Sequence, residues 1–124
     1  MGKNLLLDTD ILIDWVNGMP WTRDLFRLNT DFYFSSISYK ELLSKPGLSD
    51  SERKTLISLF RRLRWLPLNA AIASRASELL SRYKSRGLRK NDALIAATAW
   101  AKGLTLFTRN RKHFEFIREI SLRP

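Results

Sequence analysis

The first apolar run of the chain, Leu5-Leu6-Leu7, is short, unbroken and stopped by Asp8. A continuous run of this kind ending at a polar turn predicts a buried strand over Asn4 to Thr9. Ile11 to Val16 then reads as a helix closed by Asn17-Gly18. Pro20 suits the first turn of a second helix running through Leu25, Phe26 and Leu28. The aromatic-rich stretch Asp31 to Ile37 predicts a strand. Ser38 to Leu43 predicts a helix ended by Pro46-Gly47, and Asp50 to Leu63 an amphipathic helix with Leu56, Leu59, Phe60 and Leu63 on its apolar positions. Arg64 to Leu68 is a short strand candidate. Asn69 caps a longer helix whose stripe runs Ile72, Ala76, Leu79, Leu80 and Tyr83 and which stops at Gly87. Ala93 to Ala101 is apolar nearly all the way round, the mark of a helix buried on most sides. Beyond Gly103, the pattern predicts a strand over Leu104 to Phe107, a short helix over Asn110 to Ile117 and an edge strand over Ile120 to Leu122. Strands alternating with helices at these intervals predict an α/β fold with a parallel sheet of about five strands, covered on both faces.

The 124 residues fit one domain, 1–124, with a usable core, and 44% apolar residues argue against disorder. Zero cysteines exclude disulfides, thiolate metal sites and sulfur nucleophiles, and suit a reducing cytoplasm. No stretch approaches the roughly 20 apolar residues of a membrane helix, and the opening run is too short for a signal peptide. Lys and Arg outnumber the acids 22 to 12, a formal charge of +10 that favours polyanionic partners.

Against that basic background, a few acids stand where strands hand over to helices. Asp8 closes the first strand, Glu41 follows the second, Asp92 opens the apolar helix, and the polar Asn110 follows Thr105 to Thr108. Ligands of open parallel sheets bind beyond the carboxyl ends of the strands. Carboxylates gathered there repel one another, and a hard cation such as Mg²⁺ or Mn²⁺ relieves the repulsion. Each residue also has a plain structural reading. Ser38 to Glu41 matches a capping box, Asp10 and Asn110 match N-caps, and Asn91 and Asp92 match first-turn residues facing the helix dipole. Asp8 is hardest to explain this way, because an acid ending a buried strand needs a partner or a metal. His113 reads as a surface or packing residue rather than a ligand, and the four tryptophans as core or interface residues. Ser35 and Ser36 lack a histidine placed to activate them, and no phosphate-cradling glycine loop is present.

Four segments in order carry a resemblance: residues 6–13 (Leu-Leu-Asp-Thr-Asp-Ile-Leu-Ile), residues 36–42 (Ser-Ile-Ser-Tyr-Lys-Glu-Leu), residues 91–99 from Asn91 to Ala99, and residues 103–110 from Gly103 to Asn110 with His113-Phe114 after them. In these the chain resembles the PIN-domain family and, within it, the VapC-type ribonuclease toxins. The resemblance implies a three-layer α/β/α sandwich, cleavage of RNA that depends on Mg²⁺ or Mn²⁺, a homodimer and a cognate antitoxin. By motif match, Asp8, Glu41 and Asp92 resemble the family's regular acids, and Thr9 the hydroxyl residue after the first. Asp10 stands at a position often held by Asn, and Asn110 at a fourth acidic position, here neutral.

The expectation is therefore a nuclease in which Asp8 and Asp92 hold the metal and Glu41 orients or deprotonates a water. Thr9, Thr108 and Asn110 tune the surroundings, and Arg89, Lys90, Arg109 and Arg111 hold flanking phosphates. The oxygens of positions 8, 41 and 92 are expected to meet around one hydrated ion. Three rivals stand beside it: an inactive RNA-binding module, a protein-interaction role alone, and a structure-specific DNA nuclease, against which the lack of a long insertion counts.

Overall fold

The computed structural model describes residues 4–124, without the side chain of Phe26. In chain order the elements are β1 (Leu5–Leu7), α1 (Thr9–Val16), β2 (Phe32–Ser35), α2 (Ser36–Leu43), α3 (Asp50–Phe60), β3 (Arg64–Leu66), α4 (Ala70–Arg82), α5 (Lys90–Lys102), β4 (Thr105–Phe107) and β5 (Ser121–Leu122). Every strand pairing is parallel, and the sheet order is β3-β2-β1-β4-β5. Helices cover both faces, as expected, which makes a three-layer α/β/α sandwich.

β1 sits at the centre of the sheet, and its position explains its sequence. Leu5 and Leu7 enter a core shared with Ile11, Leu12, Phe34, Leu56, Leu59 and Phe60, under α1, α2 and α3. Leu6 points the other way, toward Ile72, Leu79, Ile95 and Leu106, under α4 and α5. A strand with both faces buried has no solvent side, so its apolar run is unbroken. In α5 the buried side of the helix is lined by Ala93, Ala96, Ala97 and Ala99. Side chains that stop at Cβ let the α5 backbone lie close to the sheet and to α4.

Several boundaries differ from the sequence reading: α3 ends at Phe60 rather than Leu63, and α4 ends at Arg82, with a 3-10 turn over Lys84–Arg86 before Gly87. Pro20–Arg27 is a 3-10 helix, not an α-helix. Pro20 suits the first position of either winding, and the Thr22 hydroxyl and N–H both donate to the Met19 carbonyl, the hydroxyl at 2.6 Å, which favours the tighter one. β2 stops at Ser35, whose hydroxyl accepts the Ile37 N–H at 3.1 Å and caps α2. Ser38 is therefore inside the helix, and Glu41 does not close a capping box. The box belongs to α3 instead, where the Ser49 hydroxyl accepts the Glu52 N–H and the Glu52 carboxylate accepts the Ser49 N–H, both at 3.1 Å. Finally, residues 110–117 contain only a 3-10 turn, Arg111–His113. Asn69 caps α4 as expected, accepting the Ile72 N–H at 2.8 Å.

The chain runs outward from β1 to β2 and β3, then crosses back to β4 on the other side of β1. That reversal places a switch point between β1 and β4. At their carboxyl ends the connections diverge and leave a crevice, where ligands of open α/β sheets bind. No helix of the described residues is long and apolar enough to cross a membrane.

Candidate active site

Asp8 leaves β1 and Thr108 leaves β4 on either side of that crevice. Asp8 is the N-cap of α1, with Oδ1 accepting the Thr9 N–H at 2.8 Å. Its Oδ2 accepts the Thr108 hydroxyl, also at 2.8 Å. Both residues are buried, at 5% and 4% exposure. Burial pushes the Asp8 carboxyl above its ordinary value, the bonds from Thr108 and Thr9 pull it down, and Asp92 adds to the rise. The Thr108 hydroxyl also accepts the Asn110 N–H at 3.0 Å, so the turn after β4 is tied to Asp8.

α5 supplies Asp92 from its first turn. Burial raises this carboxyl, while His113 and Arg89 oppose the rise. His113 Nδ1 lies 3.4 Å from Asp92 Oδ2. α2 supplies Glu41, the most open of the acids, which is raised by partial burial and then by the charges of Asp8 and Asp92. The hydroxyls of Thr9 and Ser38 meet at 2.8 Å and lock the start of α1 to α2. Asp10, one turn-position beyond Thr9, accepts the Arg109 N–H through Oδ2 at 2.9 Å. Its Oδ1 is buried and has no hydrogen-bond partner. Burial raises Asp10 as well, and Asp8 adds to it.

Asp8, Asp10, Glu41 and Asp92 line one open cleft of about 480 Å³, together with Thr9, Asn110 and His113. The sequence-predicted acids, Thr9 and Asn110 thus come to one place from four different elements. They do not ring a single ion as direct ligands. Among the described residues, no three His, Asp or Glu side chains are close enough to do so. Mg²⁺ does not need three, since it binds through one or two carboxylates and keeps several waters. Apart from the His113 imidazole, the cleft offers oxygen donors, acids that raise one another, and an Asp10 oxygen sealed without a donor. That set fits a hydrated Mg²⁺ or Mn²⁺.

The basic candidates divide. Arg89 and Lys90 line the cleft. Arg109 and Arg111 do not, and both are engaged by protein acceptors. The Arg109 guanidinium pairs with Asp14, a residue of 8% exposure that also accepts the Trp21 indole N–H at 3.1 Å. Arg111 donates to the Arg123 carbonyl at 2.7 Å. Two residues were missed by sequence reasoning. His113 is exposed, as a surface role required, but it also lines the cleft beside Asp92, and its spacing three residues after Asn110, across a tight turn, was the available signal. Asp14 carried none, because its partner Arg109 is 95 residues away.

A profile of the PIN domain family matches residues 5–119. The chain belongs to the PIN domain family. Ribonuclease VapC10 of Mycobacterium tuberculosis is 32% identical over 121 residues, covering 94% of this chain and 90% of that protein. Ribonuclease VapC1 of Methanocaldococcus jannaschii is 30% identical over 124 residues, covering 98% of this chain and 86% of that one. Among solved structures, VapBC2 from Rickettsia felis bound to a promoter DNA fragment is similar at a TM-score of 0.85 and 28% identity, with 96% of each chain covered. A toxin–antitoxin complex from Klebsiella pneumoniae is similar at 0.79 and 30%, with coverage of 94% and 95%. The PIN match takes in the whole cleft and every strand except β5.

Proposed function

We propose that this PIN domain is an endoribonuclease dependent on Mg²⁺ or Mn²⁺ and the toxin of a VapBC-type toxin–antitoxin pair. One observation carries the reading: four carboxylates, from the starts of α1 and α5 and from α2, share a cleft at the switch point of a fold whose curated relatives are VapC ribonucleases.

Asp8 and Asp92 would hold the cation, directly or through water. When bound, it supplies positive charge to the scissile phosphate and acidifies a water. The protein's own groups do the rest. Thr108 and the Thr9 N–H fix the rotamer of Asp8, and His113 steadies Asp92. Glu41, the acid nearest to solvent, orients the attacking water and accepts its proton. The Asn110 amide donates to a phosphate oxygen. Arg89 and Lys90 hold flanking phosphates, which positions the strand without reading its sequence.

The test is direct. Purified protein incubated with RNA should cleave it in Mg²⁺ or Mn²⁺ and stop when excess EDTA is added. RNA bound but intact in every metal would favour the second reading, an inactive RNA-binding module. The neutral Asn110 and the absence of a three-ligand cluster among the described residues speak for that alternative.

RNA affinity should fall steeply between 50 mM and 200 mM salt, by about 10³-fold or more if six or more phosphates are contacted. Replacing both Arg89 and Lys90 by Ala should weaken binding on all sequences alike and flatten the slope of log K against log salt by roughly 2. A slope unchanged in the double variant would remove these two residues from the RNA path.

The partner reading rests on a hollow of about 570 Å³ between the end of α1, the 3-10 stretch and α3. Trp15, Met19 and Leu59 give it an apolar floor, and Arg23, Lys54 and Arg62 a basic rim. Such a groove suits the apolar face of an amphipathic helix with acidic flanks, as an antitoxin would present. A homodimer and a cytoplasmic setting, in keeping with a cysteine-free sequence, complete the proposal.

A further inference from the structure

We propose that Asp10 is the fourth carboxylate of the cation site in this chain, taking the place left neutral by Asn110. The inference rests on the cation-dependent reading above and names one more residue of that site.

Three observations converge on Asp10. The first is its anchorage. Oδ2 accepts the N–H of Arg109, the residue immediately before Asn110, at 2.9 Å. The carboxylate is thereby held against the turn that presents Asn110 to the cleft. The second is its free oxygen. Oδ1 is sealed from water and has no donor. Nearly all buried side-chain oxygens have one, and an exception needs an explanation, an absent ion or water among them. Helix capping does not account for that oxygen, since the cap of α1 is Asp8, and the tether to Arg109 uses only Oδ2.

The third observation is where the nearest cation has gone. The guanidinium of Arg109 is committed to Asp14, on the next turn of α1, and not to Asp10. The Arg109 backbone holds Asp10 in place, while the Arg109 charge is spent elsewhere. Asp10 feels the Arg109 charge only as the last of the effects that oppose its burial, and it stands at the wall of the cleft it shares with Asp8 and Asp92. The χ2 torsion of an aspartate is broad. A small change in it would turn Oδ1 toward the cleft.

The experiment measures Mn²⁺ binding without RNA, by calorimetry or by the loss of the free-ion electron paramagnetic resonance signal. It uses the parent, Asp10→Asn, Asn110→Asp and the double variant. Asn at position 10 still accepts the Arg109 N–H, so thermal melts should report an intact fold. Asp10→Asn is expected to weaken Mn²⁺ binding by about 10- to 100-fold. The double variant, with the carboxylate moved to position 110, should recover most of that loss. Parent-like Mn²⁺ affinity in Asp10→Asn, or a double variant no tighter than Asp10→Asn, overturns the inference and leaves Asp10 a structural acid. A parent that takes up no Mn²⁺ and still cuts RNA in EDTA overturns the cation-dependent reading itself, and Asp10 with it.

Discussion

Asp8→Asn is expected to lower RNA cleavage by more than about 100-fold, the most that is usually lost when only an outer partner of a metal ligand is removed. The same change should raise the melting temperature of the metal-free protein. Asn keeps the geometry, since its carbonyl oxygen accepts one of the two present donors and its amide donates to a Thr108 hydroxyl free to rotate. What disappears is a negative charge at a site of 5% exposure. Burial raises Asp8, Asp10, Glu41 and Asp92 alike. Between the ordinary carboxylate values and these raised ones, the folded state binds more protons than the unfolded state. Stability therefore falls as pH rises through that window and stays at its lower level above it. Asp8→Asn deletes one contributor, so its advantage over the parent should be absent in the acid range and full at neutral pH. A gain of only ~1 kcal/mol would move the midpoint of a domain this size by about 3–6 °C. Thermal melts of both proteins in EDTA across pH, beside cleavage assays in Mg²⁺, decide the matter. Parent-like cleavage, or a lower melting point at neutral pH, would remove Asp8 from its assigned role.

Glu41→Gln should reduce turnover by roughly 10²- to 10⁴-fold, the range supplied by a positioned acid or base, with RNA affinity little changed. Glu41 must be ionised to accept a proton. Burial, Asp8 and Asp92 hold its carboxyl above the usual range, so cleavage by the parent should climb as pH rises through that raised value. Gln has no such step, and the residual rate of the variant should lose this limb. At saturating Mg²⁺ the limb moves toward lower pH, because bound positive charge favours the ionised acid. A pH limb that survives intact in Glu41→Gln would assign it to another group.

How much of this could be read from the sequence differed by residue. Leu5 to Leu7 told of a strand buried on both faces, because a solvated face would have needed a polar residue at Leu6. Asp8 stood out because nothing local could satisfy a carboxylate at the end of such a strand. Ser38 was misassigned because Ser35, Ser36 and Ser38 all resemble caps, and only the end of β2 decides among them. Arg109 was taken for a phosphate ligand because its partner Asp14 lies far away along the chain. Pairings of that kind arise from tertiary packing and leave no periodic trace. The unpaired oxygen of Asp10 is likewise a property of its surroundings.

One feature of β1 has a consequence for genetics. Its alternate leucines belong to two separate cores, and its last peptide leads into Asp8, the carboxylate proposed to hold the cation. Loosening either layer shifts the same three-residue hinge pin. Substitutions at Leu6 or Leu7 will thus lower cellular abundance and per-molecule turnover together. A survival screen scoring loss of toxicity will report these leucines as though they were catalytic.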